Sequence, residues 1–297
     1  MTESTKGFWA IVVTCTIWGM VGIYYKWLAA VPPVEILAHR TIWSFAFFGA
    51  IILIQGRIGT LWQMLTGRSI ALVAVAAVMI SLNWFVYIWS VAHGHVVEAS
   101  LGYFIFPLVA VALGAIVYRE RLGRWQGAAV ALAVVAVGYL TWGLGVPPWV
   151  AATLACTMGI YGMVKKRLSY ASDLTVTGEV ALLAPLALIY LAALHFGWGM
   201  PAGSGAFGKD WTTTFLLMFS GVLTGVPLVL FAYGAQRVRL GTLGILSYVN
   251  PTLQFLVAVL LFGEPLTPWH IVAFPLIWLA LAIYSVASLR AAAPARA

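Results

Sequence analysis

The sequence predicts an all-α membrane protein of ten transmembrane helices, arranged as two inverted five-helix repeats, and three observations carry that prediction. The 297 residues are 63% apolar and only 8% charged, with a mean hydropathy of +1.00; soluble domains carry about 25% charged residues. The apolar residues form ten continuous runs. The two halves of the chain also repeat one another in register.

Too few charges are available to cover a water-soluble globule, and too many apolar residues for a disordered, fibrous or coiled-coil chain. At about 20 residues per span, a chain of this length holds roughly ten helices with short connections and no sizeable soluble domain. The runs are residues 8–30, 36–55, 69–92, 96–118, 125–144, 149–164, 174–196, 211–235, 241–262 and 269–289. A β-barrel strand would alternate over about ten residues; these runs are continuous and longer. The first run, preceded by Lys6, is too long for a signal-peptide core and reads as a retained helix.

Sixteen Lys and Arg against eight Asp and Glu give a net charge of +8. The basic residues fall in twos and threes between runs, which excludes a nucleic-acid patch and marks topology instead. With the N-terminus inside, thirteen lie on the cytoplasmic side: Lys6, Arg57, Arg68, Arg119, Arg121, Arg124, Lys165, Lys166, Arg167, Arg237, Arg239, Arg290 and Arg296. Lys26, Arg40 and Lys209 lie on the other. The bias predicts cytoplasmic termini and an even number of spans. Cys15 and Cys156 sit inside runs and read as small buried hydrophobes.

A shift of 140 carries Trp9 onto Trp149, Gly19 onto Gly159, Gly22 onto Gly162, Lys26 onto Lys166 and Leu28 onto Leu168. A shift of 144 carries Pro107 onto Pro251, Glu120 onto Glu264, Leu122 onto Leu266 and Trp125 onto Trp269. The repeats are residues 1–144 and 145–297. Five spans is an odd number, so the second repeat enters the membrane inverted. Loops that change sides lose their fixed positive charge: Arg237 and Arg239 answer to His93 and His95, and Arg119, Arg121 and Arg124 to Gly263, Pro265 and Pro268. Inverted repeats with a midplane site are the architecture of many secondary transporters.

The stretches PPVEILAHRTIWS, LNWFVYIWSVAHGHVVEASLGYFIFPL and VPLVLFAYGAQRVRLGTLGILSYVNPTLQFLVAVLLFGEPL resemble the RarD-type group of EamA transporters, within the drug/metabolite transporter superfamily. The resemblance covers nearly the whole chain. It implies ten helices, cytoplasmic termini and export or exchange of small metabolites across the inner membrane, and it does not fix the substrate.

Ionisable residues within a span are costly and face a cavity or a partner. Glu35, His39 and Arg40 fall at the outer entrance of the second run, with Glu35 and His39 on one face. Anchoring to headgroups is the plainer reading; three such residues in six positions favour a gate or cavity. Polar stripes occur at Asn83, Tyr87 and Ser90, at Ser100 and Tyr103, and at Ser247, Asn250 and Gln254. Singly these are packing glue between helices; together they favour a shared cavity. The expected lining is Trp18, Asn83, Tyr87, Tyr103, Tyr248, Asn250 and Gln254, with Arg40 near its outer end.

Pro107 and Pro251 are expected as paired hinges or as static kinks. The outer gate is expected from Lys26, Glu35 and His39, and the inner from Lys166 and Glu179, onto which the 140-residue shift carries Lys26 and His39. Gly19, Gly22, Gly159 and Gly162 are expected to permit close helix approach. His93 and His95 make a poor metal site and read as a solvated loop.

No zinc-protease HExxH, no Gly-x-Ser-x-Gly turn and no GxxxxGK[ST] phosphate loop is present. The expected activity is transport, without a cofactor, of a small neutral, zwitterionic or aromatic or cationic metabolite by alternating access, with the bilayer as surroundings and protons as a candidate coupling ion. A passive channel, a lipid scramblase and an intramembrane enzyme are the alternatives.

Overall fold

The computed structural model describes residues 2–118, 123–145, 147–199, 201, 203–238 and 240–292, and among them every regular element is helical. The elements are α1 (Glu3–Trp27), α2 (Pro33–Ile54), α3 (Ile58–Thr66), α4 (Ile70–His93), α5 (Val96–Tyr118), α6 (Arg124–Leu144), α7 (Trp149–Lys166), α8 (Ser172–Phe196), α9 (Trp211–Ala235), α10 (Leu240–Ser247), α11 (Val249–Leu256) and α12 (Pro268–Ala292). A π-helical turn, Val257–Leu261, continues α11. Among the described residues, eight helices (α1, α2, α4, α5, α6, α8, α9 and α12) are long and apolar enough to cross a bilayer.

The two remaining expected spans differ from that pattern. The sixth run forms α7, only 18 residues long, and the ninth is divided into α10, α11 and the π turn. Between the second and third runs, where a simple connection was expected, lies α3. Its nine residues are too few for a helical period to stand out, and it is amphipathic: Met64 is buried under Gly178 of α8 while Ile58 and Trp62 are exposed.

Contacts distant in sequence sort the residues to two ends of the bundle. At the near end, which carries the start of α1, Arg237 meets Glu3 at 3.0 Å and Arg57 meets Asp173 at 2.6 Å. At the far end, Glu35 receives the N–H groups of Ala206 and Phe207 at 2.6 and 3.3 Å. There too Glu264 receives those of Val96 and Val97 at 2.8 and 2.7 Å. Exposed tryptophans ring both ends: Trp9, Trp62 and Trp125 near, Trp27, Trp142, Trp198 and Trp211 far. Such aromatic belts mark the two membrane–water interfaces.

The packing interleaves the two halves. Helix α1 packs on α9 and α11, and α7, which answers to it under the 140-residue shift, packs on α4 and α5. Small residues set both approaches. A Cβ on Gly19 would stand 2.6 Å from Leu253 Cβ, and one on Gly159 would meet Leu113 at 3.0 Å and Val109 at 3.4 Å; the 144-residue shift carries Val109 onto Leu253. Gly22 lies under the Tyr87 hydroxyl, whereas Gly162 has open space. Helix α9 approaches α2 through Gly221 and Gly225, where a Cβ would overlap Trp43 and Phe47.

Pro107 lies inside α5, which continues as one helix. Its counterpart Pro251 lies in the first turn of α11, just after the interruption at Tyr248, where a missing N–H leaves no helical bond unmade. Cys15 is buried as expected; Cys156 is exposed, because α7 turns Ala155, Thr157 and Gly159 inward instead. The repeat matches at Glu120 and Leu122, and the charges Arg119, Arg121, Arg239 and Arg296, lie outside the described residues.

Candidate functional site

The far half of the bundle holds a polar and aromatic cluster built on four helices. Arg40 of α2 donates to the Tyr25 hydroxyl of α1, and its guanidinium lies 4.0 Å from the centre of the Trp84 ring on α4. Tyr25, Tyr87 and Tyr103 follow one another at ring separations of 6.1 and 5.9 Å. The Tyr103 hydroxyl donates to Asn83 Oδ1 at 2.9 Å. The Asn83 amide donates onward to the Leu154 carbonyl and the Thr157 hydroxyl of α7. Asn83 is therefore fully used as a bridge between α4, α5 and α7. By contrast Arg40 Nε and the Tyr87 hydroxyl are buried with no partner.

A second group of expected lining residues meets nearer the middle of α1. Gln254 Nε2 donates to Asn250 Oδ1 at 3.0 Å and contacts the Trp18 carbonyl at 3.5 Å, and Gln254 Oε1 is buried without a donor. Tyr248 belongs to neither group. It borders a separate, mostly apolar crevice of about 450 Å³ with Phe104, Thr252, Trp278 and Ser285. Ser90, Ser100 and Ser247 each bond to a carbonyl of their own helix.

The expected gate residues are arranged as follows. Glu35 holds the loop before α9, and His39 stacks on Phe207 of that loop at 4.7 Å. Both border a cleft of about 380 Å³ with His195 and Lys209. Lys26 lies 5.4 Å over the Phe262 ring, away from Glu35. In the near half, Glu179 pairs with Lys165 at 2.8 Å and accepts from the Tyr161 hydroxyl. Lys165, which also donates to the Thr175 hydroxyl, takes the place beside Glu179 that the repeat suggested for Lys166. His93 and His95 stack on Trp89, and no metal-sized cluster occurs among the described residues.

The sequence reading missed the roles of Tyr25, Trp84, Thr157, Lys165 and Glu264. One signal for Lys165 was present: the 140-residue shift carries Tyr25, the partner of Arg40, onto it. Glu264 entered the sequence reading as the repeat match of Glu120, but nothing local marks its bonds to amides 167 and 168 residues away.

The model of the EamA-like transporter family matches residues 5–142 and again residues 148–286. The chain belongs to that family. It is 40% identical over 294 residues to an uncharacterized transporter, YojE, of Bacillus subtilis, covering 97% of this chain and 96% of that one. It is 42% identical to Protein RarD of Streptomyces exfoliatus (94% and 88% covered) and 38% identical to Protein RarD of Escherichia coli (95% and 94%). A crystal structure at 20% identity aligns with a TM-score of 0.60 over 96% of this chain and 97% of its own, which speaks to the fold alone. The protein is thus a multi-pass RarD-type EamA transporter of the drug/metabolite transporter superfamily, not an enzyme. Its substrate is a small molecule and its surroundings are a lipid bilayer.

Proposed function

We propose that this EamA transporter is an inverted-repeat carrier of five plus five spans, divided near residue 145, that moves a small metabolite by alternating access. The observation that carries the reading is the placement of the Arg40 cluster between two ends, each held shut by contacts from one half to the other. Glu3–Arg237 and Arg57–Asp173 hold the near end; Glu35 on the α9 loop and Glu264 on the start of α5 hold the far end. A near-end ion pair contributes only about 0–1 kcal/mol, and a far-end bond from a backbone amide to a buried carboxylate about 1.5–3 kcal/mol. A few contacts of that size bias a balanced equilibrium without locking it. The interleaved packing of α1 and α7 supports the two-fold relation.

The solute path in this reading runs between Arg40, Tyr87 and Tyr103 on one side and Trp18, Asn250 and Gln254 on the other, with Asn83 bracing the first group and the interruption at Tyr248 and Pro251 as the bending point opposite the continuous Pro107 helix. The near end faces the cytoplasm of a bacterial inner membrane, as the thirteen-to-three bias of basic residues supports. The test is counterflow in proteoliposomes preloaded with unlabelled solute. A carrier accelerates uptake of labelled solute when preloaded; a rate indifferent to preloading contradicts the reading in favour of a channel.

A further inference from the structure

Among the described residues, Arg40 has no carboxylate within ion-pair distance. It lies seven residues into α2, about 10 Å below the far end at 1.5 Å per residue. The chain has eight acidic residues, and the structure engages the described ones elsewhere. Glu3 meets Lys6 and Arg237, Asp173 meets Arg57, Glu179 meets Lys165, and Glu98 lies by His95. Asp210 caps α9, and Glu35 and Glu264 hold backbone amides. Glu120 is outside the described residues. Arg40 has instead the neutral Tyr25 hydroxyl and the Trp84 face.

Those partners are neutral, and although Arg40 is only partly buried, its Nε is shut off from solvent without a partner; a cation–π contact and one neutral hydroxyl do not replace a counter-charge. Among the unpartnered polar atoms, Arg40 Nε–H and the Tyr87 hydroxyl belong to this cluster and both have protons to give; the unpartnered acceptors Glu35 Oε2 and His39 Nε2 belong to residues bordering the cleft under the α9 loop, and Gln254 Oε1 to the second group. The Tyr25 hydroxyl accepts from Arg40, which leaves its own proton available. The nearby acceptor, Asn83 Oδ1, is taken by Tyr103. A fixed cation ringed by unmatched donors is complementary to an anion. A guanidinium fork flanked by hydroxyls fits the two oxygens of a carboxylate; a phosphate dianion would call for a second fixed cation.

We propose that Arg40, with the hydroxyls of Tyr25 and Tyr87, seats the carboxylate of the transported solute, so that the substrate is a small carboxylic or amino acid. This rests on the carrier reading above for its role in transport. A solute whose only charge is positive is repelled here. Arg40 ties α1, α2 and α4 together through Tyr25 and Trp84, so an arriving carboxylate competes with the Tyr25 contact and loosens α1 from α2.

The test uses the full-length protein in nanodiscs for melting and in proteoliposomes for counterflow, with size-graded pairs of acid and amide: acetate and acetamide, benzoate and benzamide, phenylalanine and phenylalaninamide. At least one acid should raise the melting temperature with an affinity tenfold or more above that of its amide. Arg40→Gln should abolish that preference. Tyr87→Phe, which removes one oxygen from a ring already packed, should lower it several-fold without changing the elution profile. No shift with any acid, equal shifts with acid and amide, or a preference that survives Arg40→Gln overturns the seat. Counterflow without acid preference leaves the carrier standing and removes the seat; acid binding without counterflow keeps the seat and removes the carrier.

Discussion

The Tyr25–Arg40 contact and the Lys165–Glu179 pair occupy repeat-related places, and their chemistry is opposite. The 140-residue shift carries Tyr25 onto Lys165 and His39, beside Arg40, onto Glu179; each group joins the end of the first helix of a repeat to the first two turns of the second. In the second half the acid is matched: Glu179 has Lys165 and the Tyr161 hydroxyl. In the first half the cation meets only aromatic rings and a hydroxyl. The same helix pair thus serves once as a closed brace and once as an open valence. Where the two halves match in register, the side chains differ, and in the proposed reading that difference decides which half binds.

That difference sets the size of the expected losses. Arg40→Gln should reduce counterflow at least a hundredfold, and Glu179→Gln about tenfold or less; equal losses would mean that both clusters are braces or both are sites. Asn83→Ala comes next and reads out in folding. It strands the Tyr103 hydroxyl, while the Thr157 hydroxyl keeps the Thr153 and Leu154 carbonyls; one unsatisfied buried group costs about 1–3 kcal/mol. A melting temperature lower by several degrees is expected, and an unchanged one would mean that Asn83 does not brace α4 against α5 and α7.

Glu264→Gln replaces one accepting oxygen with a donor facing the Val96 or Val97 N–H. A hydrogen bond to a charged group contributes about 1.5–3 kcal/mol, so the variant should melt several degrees lower and label more readily at far-end cysteines. Labelling unchanged from wild type would remove Glu264 from the far-end latch. Lys26→Ala should be the mildest. Among the described residues it lies over the Phe262 ring, a contact of about 0.5–1 kcal/mol, and a loss as large as that of Glu264→Gln would restore it to the gate.

Much of the frame was legible because membrane helices announce themselves by length and hydropathy, and because the registers of 140 and 144 residues placed Gly19 and Gly159 in corresponding positions. The break in the ninth run was not. Periodicity reads 241–262 as continuous, and Pro251 marks a bend only once its place in a first turn is known. The α2–α9 approach was legible as Gly221-x-x-x-Gly225, the close-packing spacing, and passed unnoticed because the glycines weighed were Gly19 and Gly22. At the site, Arg40, Asn83, Tyr87 and Tyr103 could be picked out as polar groups in apolar runs. Their partners Tyr25 and Trp84 could not, since aromatic residues are abundant in every run, and only the fold distinguishes those facing Arg40 from those facing lipid.

Access to the Arg40 cluster from both sides is the central claim. It is tested by placing a single cysteine at Tyr103, in a background with Cys15→Ala and Cys156→Ser, and labelling sealed vesicles of each orientation with a membrane-impermeant thiol reagent. Alternating access predicts modification from either side, with a saturating carboxylate solute slowing both reactions and more strongly in the wild-type cluster than with Arg40→Gln. Modification from one side alone, whatever the solute, would contradict it.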